Sequence, residues 1–277
     1  MIGVNTFCLF DNIAKDLPST FRAVRDTGIE ALEIHVIPVK KQNGLPAGVT
    51  AQNQFSYVFA QAKEHQLQVP SVHMYCSVGN LIFPKSWTLR TIRKLHDEYG
   101  VENFVFSGMF TDAAGAKRWA KYLRKVAAAV KGSGCNILYH NHSQEFNAVE
   151  VNGSRMTALD YFFSMTGPDV YLQLDIGWAG ISEDEVELAK RYRDRVMSIH
   201  LKDFVSGTRG NFGTGNMPKE RFAAIGNGEI RTAEVLAIRN QFPHFNGSII
   251  IDQDHSITGI LEDLRIGYLN VVSMLKK

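Results

Sequence analysis

Residues 137–146 read ILYHNHSQEF: an apolar run, two histidines separated by one asparagine, and a glutamate three residues further on. As a β-strand the segment turns His140 and His142 to one side and Asn141 to the other, because side chains alternate with a period of two. Two imidazoles on one face at the end of an apolar strand need two partners, since a buried polar group left unpaired is costly. The stretch therefore reads as a buried strand ending at something polar.

The same pattern recurs on either side of it. VYLQLD (170–175), VMSIHLKD (196–203), SIIIDQD (248–254), ALEIHV (31–36) and QVPSVHMY (68–75) are β-rich runs that carry polar side chains, and IGVNTF (2–7), NFVFSG (103–108) and NILYHNH (136–142) complete eight strand candidates. Amphipathic segments separate them, among them TFRAVRDTG, AGAKRWAKYLRKVAAAVKG, DEVELAKRYRDR and ITGILEDLRIGYLNVVSML, several ending near a glycine that suits a helix C-terminus. Strands alternating with helices and no long linker predict a (β/α)8 TIM barrel, one domain over residues 1–277. A doubly wound sheet would want a Gly-rich turn after its first strand, and NTFCLFDN has none. The uneven interval is FVSGTRGNFGTGNMPKERFAAIGNGEI, whose glycines predict a long loop that covers something.

Composition narrows the function classes. At 277 residues and 45% hydrophobic, the chain can bury a large core. A net charge of +2 offers no field for nucleic acid or an anionic surface, so the expected partner is a small molecule, with no nucleic acid and no membrane. Cys8, Cys76 and Cys135 form no CxxC pair, and MIGVNTF lacks a signal-peptide pattern, which together predict a cytoplasmic protein.

In such a barrel the C-terminal strand ends face the active site. There the sequence collects Glu33 and His35, His73 and Tyr75, His140 and His142, Asp175, His200 and Lys202, and Asp252 and Asp254. So many polar groups at one end imply a shared partner, and mixed imidazole and carboxylate ligands imply one divalent metal: Mn²⁺, Co²⁺, Zn²⁺ or Fe²⁺ before Mg²⁺. Each has a simpler reading as well. Asp175 can cap the following turn, and Glu33 and His35 can brace neighbouring strands.

On YHNHSQEF (139–146), LQLDIGWA (172–179), SIHLKDF (198–204), AIGNGEI (224–230) and IIIDQDHS (249–256), the chain resembles the xylose isomerase-like TIM-barrel superfamily. The nearer group is the sugar phosphate isomerases/epimerases with the inosose dehydratases, and AP endonucleases are more distant. The resemblance implies a metal held by His140, Asp175, His200 and Asp252. His140 and Asp252 stand where the ketose epimerases carry glutamates that also move the proton, and Glu145 is a reserve carboxylate for His140. Trp178 takes the place of a substrate-contacting histidine. The resemblance also implies a homodimer or homotetramer.

The expected reaction is removal of the proton beside a carbonyl of a small sugar, ketose or keto-polyol. Proton return gives isomerisation or epimerisation, and loss of a β-hydroxyl gives an inosose dehydratase-type lyase. Candidate catalytic residues are His142, Glu145, Lys202 and Asp252, and candidate substrate contacts are His73, Trp178 and Asp254. Gly226, Asn227 and Gly228 can form either a backbone anion nest or a plain turn, and the substrate is expected to be non-phosphorylated. Rival readings are an AP-endonuclease-type phosphodiesterase, which the near-neutral charge opposes, and a non-catalytic sugar-binding barrel.

Overall fold

The computed structural model describes residues 1–36, 54–74 and 85–276. Tyr75 and Cys76 lie outside them, while Cys8 and Cys135 are free thiols. Eight parallel strands close into a barrel surrounded by helices: β1 (Ile2–Asn5), β2 (Ala31–Val36), β3 (Gln68–Met74), β4 (Asn103–Phe106), β5 (Asn136–His140), β6 (Val170–Asp175), β7 (Val196–Leu201) and β8 (Ile249–Ile251). The closure is made where Ile2, Gly3 and Val4 run beside Ile249, Ile250 and Ile251.

The strands are buried nearly throughout, as parallel strands covered by helices must be. The helices follow the predicted periodicity. Ala113–Val130 is capped by Asp112, which accepts from the Gly115 amide at 2.6 Å, and it buries Ala116, Trp119, Ala120, Leu123, Val126, Ala127 and Val130. Among the described residues no helix is long and apolar enough to cross a membrane.

All eight predicted strands are present, but several end earlier than expected. The seventh stops at Leu201 rather than residue 203, and the eighth at Ile251 rather than residue 254. Beyond those points the chain turns outward at the barrel mouth. His142, Lys202, Asp252 and Asp254 therefore stand on the first residues of loops, where side chains converge on the axis.

Two excursions shape that mouth. After β5 a hairpin, Ala148–Val151 with Ser154–Thr157, turns through Asn152 and Gly153 at φ 51° and 77°. After β7, Asp203–Phe204 pairs antiparallel with Phe222–Ala223, which closes residues 205–221 into a loop. That loop is fastened to the β5 side, where Ser143 Oγ accepts from the Thr214 amide at 2.8 Å and the Ser143 amide donates to Thr214 Oγ1 at 3.2 Å. It is the covering loop that the glycines predict.

The Gly226–Gly228 segment is a turn held by a carboxylate. Asp203 accepts from the amides of Phe204, Gly226, Gly228 and Ile230 at 2.9–3.1 Å. The nest reading fails because the protein's own Asp203 takes those amides. A Cβ at Gly228 would run into that carboxylate, so the position requires glycine. Asp203→Ala would orphan four amides and is expected to destabilise the fold by about 3 kcal/mol, read as a lowered urea midpoint at unchanged m-value.

Candidate metal centre

The four residues singled out from separate strand ends come together. His140 ends β5, Asp175 ends β6 beside His200 of β7, and Asp252 follows β8, its amide donating to Leu201 O at 2.9 Å. One ligand atom from each lies within 4.8 Å of the other three, and all four side chains are buried.

Their orientations follow from local partners. Asp175 caps the short helix Ile176–Gly180 by accepting from the Trp178 amide with Oδ1 at 2.8 Å, as the turn-capping reading expects. Asn141, facing away from His140, holds the Asp175 backbone: its Oδ1 accepts from the Asp175 amide at 3.0 Å and its Nδ2 donates to the carbonyl at 3.1 Å. Asp175 Oδ2 is left buried with no hydrogen bond, as are Asp252 Oδ1 and His200 Nδ1. His140 turns Nδ1 to Gln173 Oε1 at 3.0 Å, which leaves Nε2 at 3.8 Å from Asp175 Oδ2.

Buried polar atoms without hydrogen bonds on three of these four residues would be costly by themselves. Two imidazoles and two carboxylates at that point match the ligand chemistry of a divalent cation. The residues present therefore fit a metal ion.

Lys202 balances the carboxylates beside this group. Its ammonium donates to Asp254 Oδ2 at 2.6 Å and Asp252 Oδ2 at 2.9 Å, lies 3.7 Å from Asp175 Oδ2, and sits 5.0 Å from the centre of the Trp178 ring. Burial opposes the charge, but Asp252, Asp254 and Asp175 outweigh it and hold Lys202 protonated far above neutrality. Burial pushes Asp175 up to about 6. For His200 burial acts downward, yet the carboxylates of Glu33 and Asp252 raise it to about 10. His140 is pushed well below its usual value by burial and then by His200, and burial with Lys202 lowers His142 to about 3. Both are neutral at physiological pH, with a lone pair to offer.

A cavity of about 230 Å³ opens onto the group, walled in part by His73, His142, Trp178, Lys202, Asp254 and Phe222. The candidate substrate contacts are thus all on its surface. His73 has both ring nitrogens engaged, at 3.2 Å from Glu33 and 3.1 Å from Ser107 Oγ. His142 Nδ1 has no hydrogen-bond partner.

Asp175 and His200 lie behind the cavity wall, and of the candidate catalytic and substrate-contacting residues Glu145 alone does not reach this space. The turn Gln144–Phe146 folds its carboxylate back, where it accepts from Tyr139 Oη at 2.6 Å and the His142 amide at 3.1 Å. It supports the His142 backbone from behind.

The largest surprise is Glu33, which the sequence suggests only as a brace. Fully buried, it accepts from Asn5, Ser71, His73, Gln173 and His200 at 2.6–3.2 Å. Burial opposes its charge, but His200 and His73 hold its carboxyl well below the usual range. Gln173, absent from the candidates, links it to His140. A polar residue inside a run that should be continuously apolar was the available signal, in VYLQLD as in ALEIHV.

Burial raises the Glu145 carboxyl to about 7 from an ordinary 4.5. The folded state then binds more protons than the unfolded state between those values, so its contribution to stability falls as pH rises through that window and is level above it. Glu145→Gln has no charge to bury. Apart from a pH-independent offset, it is expected to gain on the parent by on the order of 2–3 kcal/mol between pH 4.5 and 7, measured by urea unfolding at pH 5 and pH 8.

Comparison with known proteins agrees with this architecture. The xylose isomerase-like TIM barrel family matches residues 21–267. An inosose dehydratase of Clostridium perfringens is 27% identical over 174 residues, which are 58% of this chain and 56% of that protein, so the match spans just over half the length of the curated relative. A sugar phosphate isomerase/epimerase from Parabacteroides distasonis superposes with a TM-score of 0.76 at 18% identity, covering 98% of this chain and 94% of its own. A xylose isomerase-like TIM barrel protein from Mycobacterium smegmatis, solved in complex with magnesium, gives 0.69 at 12% identity over 99% and 96%. At those identities the two structures share the fold.

Proposed function

The chain belongs to the xylose isomerase-like TIM barrel family, and from that premise we propose that it is a metal-dependent sugar isomerase or epimerase. Its substrate would be a small ketose or keto-polyol. The observation that carries this reading is the convergence of His140, Asp175, His200 and Asp252, one ligand atom of each within 4.8 Å of the others, with Asp175 Oδ2, Asp252 Oδ1 and His200 Nδ1 buried and without hydrogen bonds. These four side chains would hold the ion. When bound, a divalent metal supplies Lewis-acid polarisation of a carbonyl and its neighbouring hydroxyl, which lowers the cost of removing the proton between them. Two imidazole ligands suit Mn²⁺, Co²⁺, Zn²⁺ or Fe²⁺ better than Mg²⁺, the ion named for the M. smegmatis relative.

The chain's own groups do the remaining work. Lys202, fixed over Trp178 and between Asp252 and Asp254, presents a permanent positive charge to a substrate oxygen at the cavity wall. Asp254, whose carboxyl is raised by burial to about 7, stands on the same wall as a proton carrier, and His142 presents a neutral imidazole there for hydrogen bonding to the substrate. Trp178 and Phe222 offer apolar surface to the C–H face of a sugar and exclude water. The Gly226 and Gly228 amides are engaged by Asp203, which supports a substrate without a phosphate.

A dehydratase is the second reading. It is favoured by the similarity to inosose dehydratase and by His140, which stands where the ketose epimerases carry a proton-moving glutamate. A dehydratase removes one proton and expels one hydroxyl, so it does not need matched carboxylates on opposite faces of the substrate.

Elemental analysis of protein purified without chelator should find about one equivalent of transition metal per chain, on the four-ligand geometry. His200→Ala and Asp175→Ala should each lose it. No metal in the parent after incubation with Mn²⁺ or Co²⁺ would sink the mechanism.

Turnover of ketoses and keto-inositols in D₂O then separates the two reactions. An isomerase or epimerase incorporates deuterium into a product of the same composition, whereas a dehydratase yields a product lighter by one water. Lys202→Met should lower either activity by at least about 100-fold.

A further inference from the structure

A carboxylate can only accept hydrogen bonds, and this restriction passes from Glu33 to two histidines of the centre. The Gln173 atom 2.6 Å from Glu33 Oε2 must be its NH₂ group, so the other amide atom is the carbonyl oxygen. That oxygen lies 3.0 Å from His140 Nδ1, so Nδ1 carries the proton and donates. His140 Nε2 is then a bare lone pair turned toward Asp175. At the other oxygen, His200 Nε2 stands 2.9 Å from Glu33 Oε1 and must donate, which turns Nδ1 toward Asp252 at 3.4 Å.

We propose that Glu33 is the positioning residue of the metal centre, setting which nitrogen of His200 faces the ion directly and which nitrogen of His140 does so through Gln173. This inference rests on the four-residue centre described above. It assigns work to a residue that touches neither cavity nor ion and that starts on β2, the far side of the barrel from His140 and His200 in chain order.

The restriction predicts an unusual outcome for an isosteric change. Glu33→Gln places one NH₂ where an acceptor stood. On the Oε1 side three donors converge, from Asn5, His73 and His200, and that side therefore keeps the oxygen. On the Oε2 side Ser71 can rotate to accept and Gln173 can turn its amide over. A turned Gln173 offers NH₂ to His140 Nδ1, which must then accept, and the proton moves to Nε2, where it blocks the ligand position. Combining Glu33→Gln with Gln173→Glu moves the charge along by one residue. The introduced amide then donates to a carboxylate at 173, which accepts from His140 Nδ1 as the original carbonyl did.

The test is NMR of ¹⁵N-histidine-labelled protein together with Zn²⁺ titration calorimetry on the parent and both variants. In the metal-free parent His140 should be the Nδ1–H tautomer, the less populated form of a free histidine side chain. Glu33→Gln should convert it to Nε2–H and weaken Zn²⁺ binding by about 10–100-fold while thermal unfolding stays cooperative. The double variant should restore both the tautomer and the affinity, a rescue that a purely structural carboxylate would not show. An Nε2–H parent, a single variant with unchanged His140, or a double variant without rescue would overturn the relay. If Glu33→Gln fails to fold, Gln173→Met decides instead, because it should release His140 to populate both tautomers, and an unchanged His140 signal overturns the proposal. Absence of Zn²⁺ binding by the parent would overturn the metal-centre reading, and the tautomers would still decide the relay.

Discussion

Glu33 holds the barrel interior together because it can do only one thing. As a buried anion with no proton to give, it must be met by donors on every side, and five side chains from β1, β3, β6 and β7 supply them. Removing a carboxylate from water is expensive, and such an ion persists only where hydrogen bonds and positive charge compensate it. The compensation here fixes the rotation of His73, His200 and Gln173 at once. The centre at the mouth is thereby prepared from within the barrel, before any ligand enters.

Above that layer the charges are arranged the other way round. Asp175, Asp252 and Asp254 converge on one ammonium, Lys202, whose stem runs so close to Gly177 that a Cβ there would come within 2.5 Å of the lysine Cβ. The lysine neutralises part of the negative charge, and the remaining unpartnered oxygens and imidazole nitrogen define where a cation fits. An interior carboxylate aligning the imidazoles and an outer ammonium separating the aspartates make two tiers of one electrostatic structure. The loops serve the same end, since the excursion after β7 is tied to the β5 side through Ser143 and Thr214 and lays Phe222 over the cavity. Asp203, beside Lys202 but facing outward, secures the far end of that excursion through backbone amides.

Much of this is legible in the chain itself. Eight apolar runs with helical segments between them specify the barrel, because parallel strands covered on both faces must be nearly continuous in apolar residues. The polar residues that break the pattern at strand ends, His140, Asp175, His200 and Asp252, are costly to bury singly, and that cost is what marks them as a group. The strand boundaries were less legible. An apolar run does not reveal where a ladder ends and a loop begins, and residues 202 and 252–254 belong to loops although their sequence continues the strand pattern.

Periodicity thus determined the fold and the identity of the converging side chains, because both depend on which residues can tolerate burial. What only the tertiary structure decided is which atoms of those side chains are free. Glu145 lies near His140 in sequence yet folds away behind Tyr139, whereas Glu33 lies 167 residues from His200 and touches it. The AIGNGEI glycines suit an anion equally well whether it is a ligand's phosphate or the protein's own Asp203, and only the fold reveals which anion is there. A hydrogen bond depends on angstroms and on the donor or acceptor character of a partner that can sit anywhere in the chain, and local sequence carries neither.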